Sequence, residues 1–214
     1  MSATYRASGT GAEATPCVIT KPTGVVEGDV MHCEILIDTS ISPPTLLSGW
    51  ELINTNNPDP NDTTSLSTYW KVATASEPST YSWTVPAAAS GIIDAFYDTV
   101  GGGTWSLDAS PTPPTSTNSA TATSASITDT TGGVLVCAYG NDAALTIATP
   151  PTSMPTGASE LSAQSSLYSF YELVVTGGTG THVATWSGTD YNMIHAAAFS
   201  YAAAGGSALL LLDS

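Results

Sequence analysis

The sequence predicts an all-β protein, a jelly-roll-like antiparallel β-sandwich made of two sequence-related halves. Composition is the first observation behind this prediction. Only 10% of the 214 residues are charged, whereas about a quarter are charged in an average globular chain. Thr, Ser, Ala and Gly replace the Lys and Glu that normally cover helix surfaces. Such a composition is poor for long helices, while Thr, Val, Tyr and Trp suit pleated sheets.

An internal duplication, at a spacing of about a hundred residues, is the second observation. Three pairs of segments match in order along the chain: 28–33 with 132–137, 66–72 with 167–173, and 92–95 with 193–196. The offset between the partners changes only across the intervening loops, where insertions are tolerated. The duplication therefore predicts two halves with the same order of strands.

Alternation of residue types is the third observation. In 66–72 and 167–173, every second residue points to the same face of a strand. Ala75–Ser79 and Gly177–Gly180 follow these strands, and their Pro and Gly residues predict hairpin turns. Each half thus offers about four strands and has no obvious way to bury its apolar face alone. We therefore expect the two halves to pack face to face and to form a sandwich of about eight strands.

The chain divides into three parts on this interpretation. Residues 1–19 form an N-terminal arm, residues 20–201 the sandwich, and residues 202–214 a C-terminal tail. Within the sandwich, repeat 1 covers about 20–100, a Gly/Pro/Ser/Thr-rich linker covers 101–126, and repeat 2 covers about 127–201.

The tail ends in an apolar run that is unusual in water. Leu209, Leu210, Leu211 and Leu212 follow a Gly-Gly-Ser hinge. Exposed apolar segments tend to mark interaction sites, so we expect these leucines to bind a partner, in a neighbour's groove or as a strand added to its sheet. The alternative is that the tail folds back on its own sandwich.

The charge balance restricts the classes of partner. The net charge is −15, and the three basic residues are Arg6, Lys21 and Lys71. Binding to nucleic acid requires Lys and Arg to neutralise phosphates, and attraction to an anionic membrane has the same requirement. We therefore expect neither partner. The acidity itself is interpreted as a solubility feature, with a basic patch on a partner protein as the alternative.

The cysteines and the ends of the chain indicate the compartment. Three cysteines with wide spacing and apolar neighbours predict buried free thiols in a reducing environment. The first residues lack the apolar core of a signal peptide, and the Leu run is too short to span a bilayer. We expect synthesis in a cytoplasm.

Motifs for catalysis and cofactor binding are missing from the sequence. It contains no Gly-x-Ser-x-Gly, His-Glu-x-x-His, phosphate-binding Gly-rich loop with Lys, or Cys-x-x-Cys. His32, His182 and His195 are interpreted as structural strand residues, and an apolar surrounding would make the thiols of Cys33 and Cys137 inert. The sequence therefore predicts a protein that is not an enzyme and has no catalytic residue, cofactor or metal.

Three weaker kinds of candidate stay open. The acidic loop 57–62 has oxygen ligands that suit Ca²⁺, but it lacks the Gly and terminal Glu of an EF-hand, so a solvated turn is preferred. Glu77, Asp94 and Glu160 are carboxylates of the kind a glycoside hydrolase uses, but sequence alone does not set their separation. Trp105 follows a Gly-Gly-Gly loop, where it is expected to stack on a sugar ring or fill a partner's pocket.

One set of short motifs resembles a segment common in structural proteins of tailed bacteriophages. The motifs are Glu27-Gly28-Asp29, Pro43-Pro44, Gly49-Trp50, Tyr69-Trp70-Lys71-Val72-Ala73-Thr74-Ala75-Ser76-Glu77-Pro78 and Tyr81-Ser82-Trp83. The resemblance covers most of residues 20–201 and is strongest in the first half. In the second half Glu172 stands where Lys71 does, and glycines replace Ser-Glu-Pro.

In that group the segment occurs in head-decoration and tail-associated proteins built from a twice-repeated β-sandwich. The resemblance implies a virion component and carries no catalytic residues. We expect a capsid decoration or cement protein on the outer surface of the particle, bound to the major capsid protein or to other virion subunits. Whether it is a homo-oligomer stays open. The alternatives are a tail-associated receptor- or glycan-binding module and, third, an enzyme acting on cell-wall polysaccharide.

Overall fold

The computed structural model describes residues 3–38, 42–56, 64–113, 118–128, 133–161, 165–174 and 179–203. These residues form antiparallel β-sheets and no α-helix, which confirms the predicted all-β class. With no α-helix in these ranges, none of their segments forms a helix able to cross a membrane.

Within the described ranges, the first half (residues 3–98) and the second half (residues 104–202) each contain a main sheet and smaller pieces. The first half contributes β1 (Ala3–Ala14), β2 (Cys17–Thr20), β3 (Val30–Ile37), β4 (Glu51–Asn56), β5 (Ser65–Val72), β6 (Thr80–Trp83) and β7 (Ala89–Asp98). The second half contributes β8 (Thr104–Ala109), β9 (Asn118–Thr123), β10 (Ile127–Thr128), β11 (Gly133–Asn141), β12 (Ile147–Thr149), β13 (Thr156–Leu161), β14 (Ser166–Val174), β15 (Thr179–Gly180) and β16 (Val183–Ala202).

The first sheet has the strand order β1-β7-β3-β5-β4, and β2 pairs with β6 in a separate two-stranded ribbon. Its central strand is β3, in which Cys33 lies opposite Tyr69 of β5 and Ile93 of β7. Because successive side chains point to opposite faces, Met31, Cys33 and the other odd-numbered residues of β3 face the ribbon. The even-numbered residues face the second half.

The second sheet contains the path β8-β16-β11-β14-β13, which has the same order of pairing as the first sheet. The long strand β16 first pairs with β9 and β12 and then, nearer its end, with β11 and β8. It therefore combines in one strand the positions that β6 and β7 occupy in the first half. The matching strand order is a correspondence of topology, and the sequence relation between the halves stays a prediction.

Register differs in one place from the segment matching. The pair Cys33–Tyr69 corresponds to Cys137–Phe170, as 66–72 and 167–173 predict. However, Cys33 lies opposite Ile93, while Cys137 lies opposite Ala196 and not Ile194. The two-residue difference keeps each side chain on the same face of its sheet, so the core pattern is unchanged.

Four hydrophobic clusters fill the described structure. The first core packs the first sheet against the ribbon, and its larger members are Met31, Cys33, Ile35, Trp50, Tyr69, Tyr81 and Trp83. The second core lies within the second half and includes Leu135, Cys137, Tyr139, Phe170 and Trp186. Two further clusters join the two main sheets, one around Phe96, Val134 and Phe199 and one around Leu36, Leu66 and Met193.

These clusters confirm that the two halves pack face to face, but they correct two expectations. Each half buries one face of its sheet within itself, so it does not depend on the other half for all of its burial. The predicted hairpins are also wrong. β5 pairs with β3 and β4 while β6 pairs with β2, and β14 pairs with β11 and β13 while β15 pairs with β10. Tyr81 and Trp83 cover the first sheet from the ribbon, and a hairpin would have kept them in the sheet's own plane.

Segments outside the two repeats take part in the sheets. β1, from the N-terminal arm, pairs with β7 along the edge of the first sheet. β8 and β9, from the linker 101–126, both pair with β16. Of the tail 202–214, only residues 202 and 203 are described.

Candidate functional site

The predicted partner-binding residues lie in two places. Trp105 needs correction, because it lies in β8 and not in a loop. Its side chain is 5% exposed, and its ring meets that of Tyr201, directly opposite on β16, at a centroid distance of 5.2 Å. Alternation along β8 turns Trp105 and Leu107 toward the joined sheets, so Trp105 is a core residue. Leu209, Leu210, Leu211 and Leu212 lie outside the described residues, as does the acidic loop 57–62.

Residues from three of the motifs that carry the phage resemblance lie around the carboxylate of Glu77: Trp50, the segment 69–78, and Tyr81. We define the Glu77 hub as Lys71, Thr74, Glu77 and Tyr81. Lys71 Nζ lies 2.8 Å from both oxygens of Glu77, and Tyr81 donates its hydroxyl proton to Glu77 Oε2 at 2.7 Å. The backbone N–H and the hydroxyl of Thr74 donate to Glu77 Oε1 at 2.7 and 2.9 Å. The carboxylate thus accepts bonds from three residues.

The electrostatics of the hub favour a fixed ion pair. Burial by itself would raise the pKa of Glu77. The bonds from Lys71, Thr74 and Tyr81 outweigh burial and lower this pKa to about 2. The Lys71 side chain is 8% exposed, and its ammonium lies 5.8 Å from the centre of the Trp50 ring. Lys71 is therefore a structural cation between an acid and aromatic rings.

The Glu27-Gly28-Asp29 motif is tied to the same region. Gly28 donates its N–H to the carbonyl of Ala73, and Ala73 donates to the carbonyl of Asp29. Arg6 of β1 forms an ion pair with Asp29, with Nε 2.6 Å from Oδ2, and its guanidinium lies 4.2 Å from the centre of the Tyr97 ring. The motif therefore fastens β1 and the connection after β5 to the start of β3.

Two surface depressions adjoin these motifs. One, of about 240 Å³, is lined by Leu47, Ser48, Trp50, Pro78, Thr80, Tyr81 and Ser82. The other, of about 220 Å³, is lined by Arg6, Val26, Glu27, Gly28, Asp29, Tyr97, Asp98, Gly101, Gly102, Gly103 and Tyr201. In the second depression Asp29 neutralises the charge of Arg6, so the Arg6 guanidinium offers little attraction to an anionic ligand. Neither depression contains a histidine or a cysteine.

A buried polar group lies between the two main sheets. We define the interface cluster as Ser8, His32, Glu34, Thr68, Asp94, Ser169 and His195. Thr68 of the first sheet and His195 of the second are joined by a hydrogen bond of 3.0 Å between Oγ1 and Nδ1. Ser8 donates to Asp94, and the Ser169 side chain, from the other half, is also hydrogen-bonded to Asp94. The cluster therefore spans both halves.

Several polar atoms of the cluster have no hydrogen-bond partner among the described residues. They are both carboxyl oxygens of Glu34, Asp94 Oδ2, His32 Nδ1 and His195 Nε2. His32 Nδ1 does lie 3.3 Å from Glu34 Oε1. Buried polar groups without partners are costly, so these atoms lower the stability of the interface between the two halves.

Burial disfavours the charged form of each titratable group in the cluster. It lowers the pKa of His32 and of His195 to about 3. It raises the pKa of Asp94 to about 6 and that of Glu34 well above its usual range. Both histidines are therefore neutral at pH 7. His32 and Glu34 are thus not a charged ion pair.

The cluster has the residue types of a catalytic site but not the access. Glu34 and Asp94 are fully buried, and His32 and His195 are 1% and 3% exposed. A substrate would have to separate the sheets to reach them. Of the three carboxylates considered for glycoside hydrolysis, Asp94 is thus sealed inside and Glu77 is held in the hub. The third, Glu160, is half-buried in β13.

Metal and thiol chemistry find no support within the described part of the chain. These residues contain no group of three or more His, Cys, Asp or Glu side chains placed to hold a metal ion. Cys17, Cys33 and Cys137 are buried free thiols, as the sequence predicts. Burial raises the pKa of Cys17 to about 12 and raises the pKa values of the other two as well, so the reactive thiolate is suppressed.

Sequence reasoning missed both the hub and the interface cluster. A signal for the cluster was present in β3, where Glu34 stands between Ile35 and Cys33 in a strand that is otherwise almost entirely apolar. A charged side chain inside such a strand requires a polar partner on the same face. The identity of that partner depends on strands distant in sequence.

No protein-family model, curated protein or solved structure matches this chain.

Proposed function

We propose that this chain is a bacteriophage virion structural protein, and specifically a capsid decoration or cement protein that binds the outer surface of the assembled capsid shell. The observation that carries the proposal is the Glu77 hub. The residues behind the phage resemblance serve to hold strands and connections together, as expected for the signature of a structural module. The proposed partners are the major capsid protein or other virion subunits.

The position of the titratable groups supports a structural role over an enzymatic one. His32, Glu34, Asp94 and His195 are sealed between the sheets, and the three thiols are buried. An enzyme acting on polysaccharide needs a carboxyl group that the substrate can reach. Burial of Asp94 weakens that alternative.

Charge supports an exposed position on a particle over contact with packaged nucleic acid. Of the three basic residues, Arg6 and Lys71 are already held in ion pairs with Asp29 and Glu77. Few cations therefore remain to neutralise phosphates, while a net charge of −15 keeps copies of the protein apart in solution.

The alternative of a glycan-binding module relied on an exposed Trp105. Because this side chain is 5% exposed and packs on Tyr201, it offers no platform for a sugar ring. The described residues therefore favour the decoration hypothesis over the glycan hypothesis.

Co-sedimentation with assembled capsids tests the proposal. We expect the full chain to sediment with capsids at a fixed ratio of copies to capsid subunits. A variant with Ser at positions 209–212 should lose most of this binding, because it removes the apolar run without changing the tail length. Val100→Ser is the matched control, since Val100 is a 70% exposed apolar residue elsewhere on the surface, and it should bind as wild type does.

The outcomes separate the two parts of the proposal. Full binding by the Ser variant would reject docking through the tail while leaving decoration in place. Absence of binding by the full chain to any capsid form would contradict decoration. A positive glycan array together with that absence would favour the tail-associated module instead.

A further inference from the structure

The two halves are joined by an interface that is separate from the core of either half. The first core uses residues of the first half alone, such as Met31 and Tyr69, and the second core uses residues of the second half alone, such as Leu135 and Phe170. Contacts across the interface include Trp70 with Phe199, at 5.7 Å between ring centroids, and residues of the interface cluster. The apolar clusters around Phe96 and Leu36 also join the halves, and their residues belong to neither core.

Titratable groups face the interface cluster from five strands. They are Tyr5 on β1, His32 and Glu34 on β3, Asp94 on β7, Tyr171 on β14, and His195 on β16. The other packed strands contribute Thr68 from β5, Val136 and Ala138 from β11, and Gly157 and Ala158 from β13. No Lys or Arg is among these residues, so a histidine charged here would depend on the two carboxylates for a counter-ion.

Acid removes that counter-ion before it charges the histidines. Asp94, with a pKa of about 6, is protonated well above the pH at which His32 and His195 take up protons, near pH 3. Glu34 is protonated earlier than an exposed Glu. Below about pH 3, the closed interface would therefore hold two positive charges and no negative one, which is costly in a buried site.

We propose that the interface cluster is an acid-sensitive latch, which holds the two halves together above about pH 4 and releases them from each other below it, while each half keeps its own core. The inference goes beyond the proposed virion role and does not depend on it.

Proton linkage gives the latch a steep response. Histidines that become solvated on opening regain a pKa near 6.5, so below that pH the open state binds up to two more protons than the closed state. The carboxyl groups act in the opposite direction, since Asp94 binds a proton more tightly in the closed state above pH 3.8 and Glu34 does so above pH 4.5. Between about pH 4.5 and 6 both carboxyl groups therefore oppose the histidines. Between pH 3.8 and about pH 3 the histidines act unopposed, and the opening constant rises by up to about 100-fold per pH unit. Below about pH 3 this rise ends, because the histidines of the closed state are protonated as well.

An NMR series between pH 7 and pH 3 on the full chain tests the latch. Ring contacts between Trp70 and Phe199 report the interface. Contacts between Trp50 and Tyr81 report the first core, and those between Tyr139 and Phe170, at 5.6 Å, report the second. We expect the Trp70–Phe199 contacts to disappear below pH 4 while the contacts within each core persist. The ring signals of His32 and His195 should titrate together with this opening.

Matched variants separate the latch from general acid unfolding. His32→Asn with His195→Asn should keep the interface closed at pH 3.3, and either single variant should reduce the rise to about tenfold per pH unit. His182→Gln is the control, because His182 is half-buried outside the interface, and it should open as wild type does. Glu34→Gln with Asp94→Asn should begin to open near pH 6, since the opposing carboxyl groups are gone.

Three results would overturn the proposal. One is loss of core and interface contacts at the same pH in wild type. Another is opening of the double histidine variant at the wild-type pH. The third needs no variant that might fail to fold: titration of His32 and His195 near pH 6.5 with the interface still closed.

Discussion

Glu77→Gln should destabilise the protein by about 3 kcal/mol at pH 7. The pKa of Glu77 is lowered from 4.5 to about 2 in the folded protein, and about 1.4 kcal/mol for each pH unit of difference gives that magnitude. Its side chain is 3% exposed, so solvent screening does little to reduce the value. Removing the charge also leaves the ammonium of Lys71 buried without its partner, a change that costs about 3–5 kcal/mol in other proteins.

The effect should depend on pH in a defined direction. Because the folded pKa lies below the unfolded one, the stabilisation by Glu77 is fully present above pH 4.5 and is lost as pH falls toward 2. The difference in free energy of unfolding between wild type and Glu77→Gln, measured by urea denaturation, should therefore shrink by about 1.4 kcal/mol per pH unit across this range.

Two controls complete the experiment. Glu51→Gln removes an exposed carboxylate from β4 and should change stability by less than about 0.5 kcal/mol. The double variant Glu77→Gln/Lys71→Met should be less destabilised than Glu77→Gln alone, because no unpaired cation remains. A loss below about 0.5 kcal/mol for Glu77→Gln at pH 7, or a loss of equal size at pH 7 and pH 2.5, would refute the role of the hub.

Three further predictions concern packing and reactivity. Gly9→Ala should destabilise by about 3 kcal/mol or more in urea denaturation, because its Cβ would lie 1.8 Å from the backbone oxygen of Thr20; a wild-type stability would show that the ribbon is placed differently. Trp105→Ala should cost about 3–5 kcal/mol in the same assay, and a stable variant with lost partner binding would return Trp105 to the surface. The three buried thiols should react with a thiol reagent such as DTNB only at the rate of unfolding, and fast reaction of any one in the native protein would contradict its burial.

Local sequence information was sufficient for the fold class and for the strand faces. Alternation separated Tyr69 from Trp70 in β5 and Phe170 from Tyr171 in β14, because a pleated strand has a period of two residues. The structure places Tyr69 in the first core and Phe170 in the second. The local sequence also held a signal for Trp105, because Trp105 and Leu107 alternate as in a strand. The prediction of a loop gave more weight to the three glycines before Trp105, and it was wrong. The misassigned hairpins have a different cause. Pro and Gly between two strands indicate a change of direction, but not whether the chain returns to the same sheet or crosses to another layer.

The candidate sites depended on contacts that no local pattern contains. Thr68 and His195 are 127 residues apart, and their bond exists only because β5 and β16 face each other across the two sheets. The Glu77 hub is more local, since Lys71, Thr74 and Tyr81 lie within six residues of Glu77. Its spacing was visible in the phage-like motif, although the sequence did not show that the conformation of the connection brings all three donors to one carboxylate.

The position of this protein on an intact particle tests the virion assignment most directly. The proposed particles would be purified from cells infected with the virus that encodes this chain. The intact particles would then be imaged by electron cryomicroscopy. We predict density for the two packed halves on the outer surface of the capsid, repeated with the symmetry of the shell and absent from particles that lack the gene. Purified particles that contain no copies of the chain would contradict the proposed function, and copies confined to the tail would replace capsid decoration with the tail-associated alternative.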